Sequence, residues 1–401
     1  MNKILLFSLV LVGCVSPENG PVKSQWAELD QVERVNCAAW PLSKSDLGVE
    51  AVVPLEVGDT DGLIASVRLR TNRLAHYYAP FAGKVTLDPD DFSRLNLGEG
   101  AVVLGAVRIG SQTHMAVMQQ RFEKAVLELR SVPSNEVVAI LEGLPGEIST
   151  GSVLSSKNGF WLLIKHHEQH SSLFFVRFES PAVKSGQVLS QKLSAVKFEA
   201  LKLTSLPVIL QKAHTDEIYL VNFDSVAAGK GRKDVFSVGR ADGSGQFSSL
   251  KNMPVKVESE VESFSAFAHQ GQYYLGYIDG DSMVGKARLR VSRFVWESSP
   301  VVADSASVVL EDVHVSDPIW IPGGTELSVG VLKWVDEEST LASYKVQAGA
   351  LVNSNAAGIF QKGSRITGVF GTKNGQNFLV MRSRETNTWK FRLCHLKRSQ
   401  K

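Results

Sequence analysis

One pattern recurs along most of this 401-residue chain and limits its fold more than any other feature. A turn is followed by a short strand with a strongly apolar centre, as in Asn158-Gly159 before Phe-Trp-Leu-Leu-Ile. Asn-Gly and Asp-Gly turns supply the positive φ angles that two-residue hairpins need. The centres of the repeats lie 46 to 58 residues apart, at Ile64, Ala116, Leu162, Leu220, Leu275, Val329 and Leu379.

The rest of the chain is built from short runs of Val, Ile, Leu, Phe and Tyr broken by Gly, Asn, Asp and Pro, which predicts antiparallel sheet with tight turns. Two segments, 90–97 and 196–203, are exceptions in which we expect a helical turn. A period near fifty with about four strands per period is typical of a β-propeller. The sequence therefore predicts an all-β, seven-bladed β-propeller of four-stranded antiparallel blades. Six or eight blades, or two β-sandwiches, are the alternatives.

The start of the repeat region has one strand too many, and its last repeat has one too few. The seventh repeat offers three clear strands and lacks a fourth, which the spare early strand at 33–42 can supply. Cys394 then lies on the third strand of this blade and Cys37 on the donated fourth strand, so a cross-strand disulfide is geometrically plausible. Two buried free thiols are the alternative.

The N-terminus has the organisation of an export signal. A short basic start leads into an apolar run of about nine residues, too short to span a bilayer. The run ends in Leu11-Val12-Gly13-Cys14, and the chain turns polar at once. This resembles the signal peptide and lipobox of bacterial lipoproteins, which implies that the mature protein begins at Cys14 and carries lipid there. By the same resemblance, Val15 in place of Asp implies sorting to the outer membrane.

These features divide the chain into three parts. Residues 1–13 are the predicted signal peptide, residues 14–31 a lipidated flexible tether, and residues 32–401 a single propeller domain closed by the N-terminal strand. The expected location is the bacterial cell envelope, with the lipid as the membrane contact. The formal net charge of +2 implies no nucleic-acid partner.

Candidate ligand-binding residues lie on loops that join second to third strands, because propeller sites usually lie on loops at the ends of the central channel. The third blade offers His166, His167 and His170, but their order does not match a zinc helix, and a solvated turn is the simpler interpretation. The fourth blade offers Lys230 and Arg232, in a basic loop that could contact acidic headgroups or polysaccharide. The fifth blade offers Asp279 and Asp281, in a turn that lacks the full calcium-loop pattern.

No catalytic motif is recognisable, and the sequence predicts neither a cofactor nor a metal. The favoured hypothesis is a non-enzymatic scaffold that binds an envelope protein or glycan through its loops. The alternative is a glycan hydrolase or lyase that uses carboxylates such as Glu168 or Asp279 at the channel, which requires two acidic groups within roughly 5 to 10 Å.

Overall fold

The computed structural model of the chain describes most of the region of the repeats. The described residues are 37–39, 46–57, 60–69, 71, 73–80, 89–110, 112–121, 124–146, 148–166, 171–179, 191–198, 207–212, 215–228, 231–280, 286–311, 314–315, 317–323, 326–335, 338–354, 359–361, 365–371, 377–385 and 388–396.

The described strands form consecutive units that are antiparallel within themselves, and in most units each strand pairs with the next one along the chain. One parallel pairing, of Gln191 and Lys192 with Ala139 and Ile140, joins the outer strands of two neighbouring units into a single sheet. We number these units as blades, in chain order. Blade 1 contains β2 (Asp46–Val57), β3 (Thr60–Leu69), β4 (Leu74–Pro80) and β5 (Ser93–Leu95). Blade 2 contains β6 (Ala101–Ile109), β7 (Gln112–Arg121), β8 (Lys124–Ser131) and β9 (Val137–Pro145). Blade 3 contains β10 (Ile148–Ser155), β11 (Gly159–His166), β12 (Ser171–Glu179) and β13 (Gln191–Lys197).

The same arrangement continues through the second half of the chain. Blade 4 contains β14 (Val208–Gln211), β15 (Ile218–Ala228), β16 (Gly231–Ala241) and β17 (Lys251–Asn252). Blade 5 contains β18 (Val261–His269), β19 (Gln272–Asp279), β20 (Lys286–Trp296) and β21 (Pro300–Glu311). Blade 6 contains β22 (His314–Val315), β23 (Ile319–Gly323), β24 (Glu326–Val335), β25 (Glu338–Gln347), β26 (Ala350–Asn353) and β27 (Ile359–Gln361). Blade 7 contains β28 (Arg365–Gly371), β29 (Asn377–Glu385), β30 (Thr388–Leu396) and β1 (Cys37–Ala39).

The first strands of neighbouring blades contact one another, which makes them the inner strands of a β-propeller. The contacts run from β28 to β2, β6 and β10, and from β14 through β18 and β23 back to β28. Blades 3 and 4 share an apolar cluster that contains Trp161 and Ile218. The predicted propeller fold is therefore confirmed, since two β-sandwiches would not place the first strands of consecutive units side by side from β28 to β10 and again from β14 to β28.

The core is a series of apolar layers between blades. Separate clusters join blades 1 and 2, blades 2 and 3, blades 4 and 5, and blades 5 and 6. The largest fully buried side chains include Trp161, Tyr277 and Phe236. Because each sheet is covered by its neighbours on both faces, its strands have nearly continuous apolar centres rather than a strict alternation.

The path of the chain defines two faces. We call the face with the second-to-third strand loops and the inter-blade connections the upper face. The lower face holds the first-to-second and third-to-fourth strand turns. Since β1 is the fourth strand of its blade, the chain enters β1 from the lower face.

The first described strand pairs with the last one, as the sequence predicts. β1 is antiparallel to β30, and the backbone of Cys37 lies directly opposite that of Cys394. The ends of the repeat region are therefore joined within one sheet, and the register places the two cysteines at one cross-strand position.

The two segments in which we expect a helical turn differ in outcome. In 90–97 the prediction is confirmed in part, because the chain forms a short 3₁₀ turn, Pro89–Asp91, which is followed by the fourth strand β5. In 196–203, Val196 and Lys197 end strand β13, where they pair with β12, and residues 199–203 lie outside the described part of the chain. Cross-strand pairing overrides the weak local helix preference of the residues that form β5 and of Val196 and Lys197.

Among the described residues, no helix has the length and apolar character needed to cross a membrane.

Candidate binding surfaces

The strand bounds place the three predicted loops at equivalent positions. Each joins the second strand of its blade to the third, so all three lie on the upper face. His166 ends β11, while His167 and His170 lie outside the described residues. Arg232 is the second residue of β16, where its backbone pairs with Ala227, and Lys230 lies outside the described part.

Asp279 is the last residue of β19 and is almost fully buried, with 2% of its surface exposed. Its carboxylate accepts hydrogen bonds from the backbone N–H groups of Glu258 (3.1 Å) and Ser259 (2.9 Å) and from the Ser259 hydroxyl (2.9 Å). It also accepts a 2.6 Å hydrogen bond from Nε of Arg290. Asp281 of the same turn lies outside the described residues.

These contacts fix both the charge and the role of Asp279. Burial alone would raise the pKa of this carboxyl, but the N–H donors of Glu258 and Ser259 and the Arg290 guanidinium hold it below its ordinary value of 3.8. Arg290 also pairs with Glu258 at 2.6 Å. The carboxylate therefore ties the blade 4–5 connection to the sheet of blade 5.

A second feature, which the sequence did not predict, is a cleft of about 260 Å³ between blades 5 and 6 on the lower face. One wall is the tight turn after β18 together with the start of β19, and the other is formed by the start of β24 and the end of β25. The lining residues are His269, Gln270, Gln272, Tyr274, Glu326, Leu327, Lys345, Val346 and Gln347.

The floor of the cleft is apolar and aromatic. Tyr274 and Leu327 belong to the buried cluster between the two blades. The Tyr274 ring lies 6.0 Å from that of Trp320, which in turn stacks on Phe267 at 6.1 Å. Burial raises the pKa of the Tyr274 phenol, so it stays protonated and donates a 2.7 Å hydrogen bond to the Gln272 side chain.

The rim of the cleft carries mainly uncharged hydrogen-bonding groups. Three glutamines contribute amides, each of which offers an acceptor and two donors. The two charged residues of the rim, Glu326 and Lys345, form an ion pair with each other at 3.0 Å. At the wall, Nε2 of His269 is buried and has no hydrogen-bond partner among the described residues. The accessible lining of the cleft is therefore more polar than apolar, whereas ligand pockets are usually lined mainly by apolar side chains.

The described part of the chain holds no cluster of three or more His, Cys, Asp or Glu side chains arranged to bind a metal ion. Within the same residues, every carboxyl group with a shifted pKa has it lowered: Glu179, Asp216, Asp242, Glu258 and Asp279.

No protein-family model and no curated protein matches this sequence. Among solved structures, the chain is similar to BBS1N from its complex with ARL6DN, with a TM-score of 0.48 and 10% identity over 92% of this chain and 99% of that one. It is also similar to the Dos1 propeller, with a TM-score of 0.45 and 7% identity over 91% and 95% of the two chains. The endosialidase of phage phi92 gives a TM-score of 0.46 and 8% identity, over 92% of this chain and 69% of that one.

Proposed function

We propose that this protein is a lipid-anchored β-propeller of the bacterial cell envelope, a closed ring of seven blades that binds a protein or a glycan without cleaving it. The anchor follows from the lipobox at Cys14, and the binding role from the cleft between blades 5 and 6. The cleft is the observation that carries the proposal. It has an aromatic floor, and its rim offers amide groups and an ion pair whose two charges neutralise each other.

This composition favours an uncharged ligand group. Sugar hydroxyls and peptide amides each donate and accept hydrogen bonds, as do the amides of Gln272 and Gln347. A ligand charge would instead compete with the Glu326–Lys345 pair. The volume of the cleft lies just below the roughly 300 to 1,000 Å³ of pockets for drug-sized ligands, so it suits one sugar ring or one amino-acid side chain of a larger partner.

The hydrolase alternative has less support. Asp279, one of its two candidate carboxylates, makes four hydrogen bonds to its own chain. The other, Glu168, lies outside the described residues.

Site-specific photo-crosslinking in living cells tests the proposal. A photoreactive residue replaces Gln272 in one variant and Gln112 in the control, since Gln112 starts β7 just as Gln272 starts β19. We expect a crosslinked adduct at position 272 and none at position 112. When the captured partner is then incubated with the purified protein, we expect its length to stay unchanged. Equal labelling at both positions would argue against the cleft, and shortening of a captured glycan would favour the hydrolase.

A further inference from the structure

The cleft between blades 5 and 6 offers hydrogen-bonding amides on both of its walls. On the blade 5 wall, the Gln272 side-chain oxygen accepts the hydrogen bond from Tyr274, and its NH₂ group has no hydrogen-bond partner among the described residues. On the blade 6 wall, Gln347 is exposed, and its amide makes no hydrogen bond within the part of the chain that the structure describes. A ligand between the walls therefore meets donors on both sides and an acceptor on one.

The ion pair of the cleft presents a further donor and acceptor side by side. Nζ of Lys345 contacts both carboxylate oxygens of Glu326, at 3.1 and 3.0 Å. The two side chains are 39% and 63% exposed, so both keep hydrogen-bonding capacity toward a ligand. Because their charges neutralise each other, the pair can hold one group that donates and a neighbouring group that accepts, and it requires no charge on the ligand.

This arrangement discriminates between a sugar ring and an amino-acid side chain. A sugar ring carries hydroxyls on neighbouring carbons, whereas no standard side chain carries two hydroxyls. An apolar side chain would cover the amides of Gln272 and Gln347 without pairing them, and unpaired buried polar groups cost free energy. A charged side chain, or the carboxylate of an acidic sugar, would compete with the Glu326–Lys345 pair.

Both walls lie on paired strands, which fixes the backbone that carries these groups. Gln272 follows a two-residue hairpin turn with positive φ angles at Gln270 (49°) and Gly271 (75°). Across the cleft, Glu326 and Lys345 lie on β24 and β25, which pair with each other. A site on regular strands is held in place before the ligand arrives, so binding loses little backbone entropy.

We propose that the cleft binds one neutral sugar ring of a glycan, with two neighbouring hydroxyls at the Glu326–Lys345 pair and further hydroxyls at the two amides. The C–H groups of the ring lie against the apolar base that Leu327 and Val346 provide. This inference rests on the proposed binding role of the cleft and deepens it, because it selects a sugar over a protein side chain and a neutral sugar over an acidic one.

Isothermal titration calorimetry of the purified full-length mature protein tests this inference with maltotriose, cellotriose and triacetylchitotriose as neutral probes. Trigalacturonate is the acidic comparison, and a polyethylene glycol of similar mass is the comparison without adjacent hydroxyls.

Two matched variants locate the binding. Glu326→Ala/Gln347→Ala removes a carboxylate and an amide from the cleft. The control, Glu179→Ala/Gln112→Ala, removes the same two groups elsewhere, since Glu179 also forms an exposed ion pair, with Lys192, and Gln112 starts β7. Circular dichroism melting checks that both variants fold.

We expect at least one neutral trisaccharide to bind with a dissociation constant of roughly 0.1 to 10 mM, as suits contacts with a single ring. The cleft variant should bind about tenfold more weakly, because it loses hydrogen bonds to a charged group and to an amide, and the control should stay within about twofold of the wild type. Absence of binding by all three neutral sugars at roughly 50 mM would overturn the inference. An unchanged affinity in the cleft variant, equal weakening in both variants, or equal or tighter binding of trigalacturonate or polyethylene glycol would do the same.

The crosslinking experiment at position 272 separates this failure from a failure of the proposed function. A protein adduct in cells together with no sugar binding in the calorimeter would overturn the sugar assignment alone. Sugar binding that the cleft variant weakens, without any adduct in cells, would support the sugar assignment and count against the proposed role in the envelope.

Discussion

At the scale of single residues, the buried pair of Asp279 and Arg290 is a structural element of blade 5. Both side chains lie within the sheet, with 1% and 10% of their surfaces exposed. Removing one member of a buried pair leaves the other charge without compensation. We therefore expect Asp279→Ala to lower the free energy of unfolding by about 3 to 5 kcal/mol, measured by urea denaturation.

The exposed pair of Arg73 and Glu99 provides the control, because Glu99→Ala should change the free energy of unfolding by less than about 1 kcal/mol. The contribution of Asp279 is also pH-dependent. Since folding lowers its pKa, the contribution is complete above the ordinary value of 3.8 and is lost as the pH falls through the folded value. An Asp279→Ala protein as stable as the wild type at pH 7 would contradict this assignment.

His76 gives a second prediction at this scale. Its ring is buried, with Nδ1 accepting from the Ser66 hydroxyl at 2.9 Å and Nε2 donating to the Ala101 carbonyl at 3.0 Å. Burial lowers the pKa of His76 below 6.5, against the opposing effect of the hydrogen bond to Ala101. The neutral ring therefore connects the third strand of blade 1 to the inner strand of blade 2.

The unfolded chain binds a proton near pH 6.5, where the folded protein does not. The contribution of His76 is therefore complete above this pH and declines as the pH falls, by at most about 1.4 kcal/mol per pH unit. Urea titrations between pH 7.5 and 5.5 measure how the free energy of unfolding changes with pH. The variant His76→Gln should make this pH dependence weaker, while its side-chain amide still provides a donor for the Ala101 carbonyl. Some pH dependence should remain, because burial also lowers the pKa of His114. An unchanged slope in His76→Gln would refute the assignment.

At the scale of strands, the repeat pattern predicted most of what was found. Asn158-Gly159 precedes strand β11 as the repeat predicts, and the seventh repeat holds the three expected strands, β28, β29 and β30, with the early strand β1 as the fourth. The outer strands were less predictable. Strand β5 occupies part of a segment where the sequence predicts a helical turn, because an outer strand has a weaker apolar pattern than an inner one.

The cleft could not be predicted from any local pattern. Gln272 and Gln347 are 75 residues apart in the sequence, and only the packing of blade 5 against blade 6 places them at one rim. The role of Asp279 was hidden for the same reason, because an Asp-Gly pair in sequence indicates a turn and does not reveal that Arg290 lies beside it on the next strand.

The pairing of β1 with β30 leads to a prediction about covalent closure. Directly opposite residues in an antiparallel pair have Cβ atoms roughly 4.5 to 5.5 Å apart, close to what a disulfide requires. We expect Cys37 and Cys394 to be oxidised to a disulfide in the envelope, and mass mapping without reduction should yield their linked peptide.

Loss of this bond should lower the free energy of unfolding by about 2 to 5 kcal/mol, because it closes a long loop in the unfolded chain. The variant Cys37→Ser/Cys394→Ser tests this in denaturation without reductant, and the wild type with reductant should match it. Recovery of both cysteines as free, alkylated thiols from native protein would contradict the prediction.

At the scale of the whole molecule, the proposed lipid at Cys14 determines how the propeller is presented. From Cys14 to the start of β1 at Cys37 the chain can extend at most roughly 80 Å, and it joins the propeller at the lower face. An anchor there directs the lower face toward the membrane and leaves the upper face toward the envelope interior.

The variant Cys14→Ser tests the anchor in the producing bacterium. Without a lipid-bearing thiol, we expect the protein to move from the membrane fraction to the soluble fraction, since the apolar run before Cys14 is too short to span a bilayer. Fractionation followed by immunoblotting measures the change, and metabolic labelling with an alkyne fatty acid should mark the wild type and not Cys14→Ser. Substitution of another small polar position near the start of the tether, Ser16→Ala, serves as the control and should leave the protein in the membrane fraction. If Cys14→Ser stays in that fraction undiminished, the lipid is not what holds the propeller at the membrane, and the orientation derived from it fails as well.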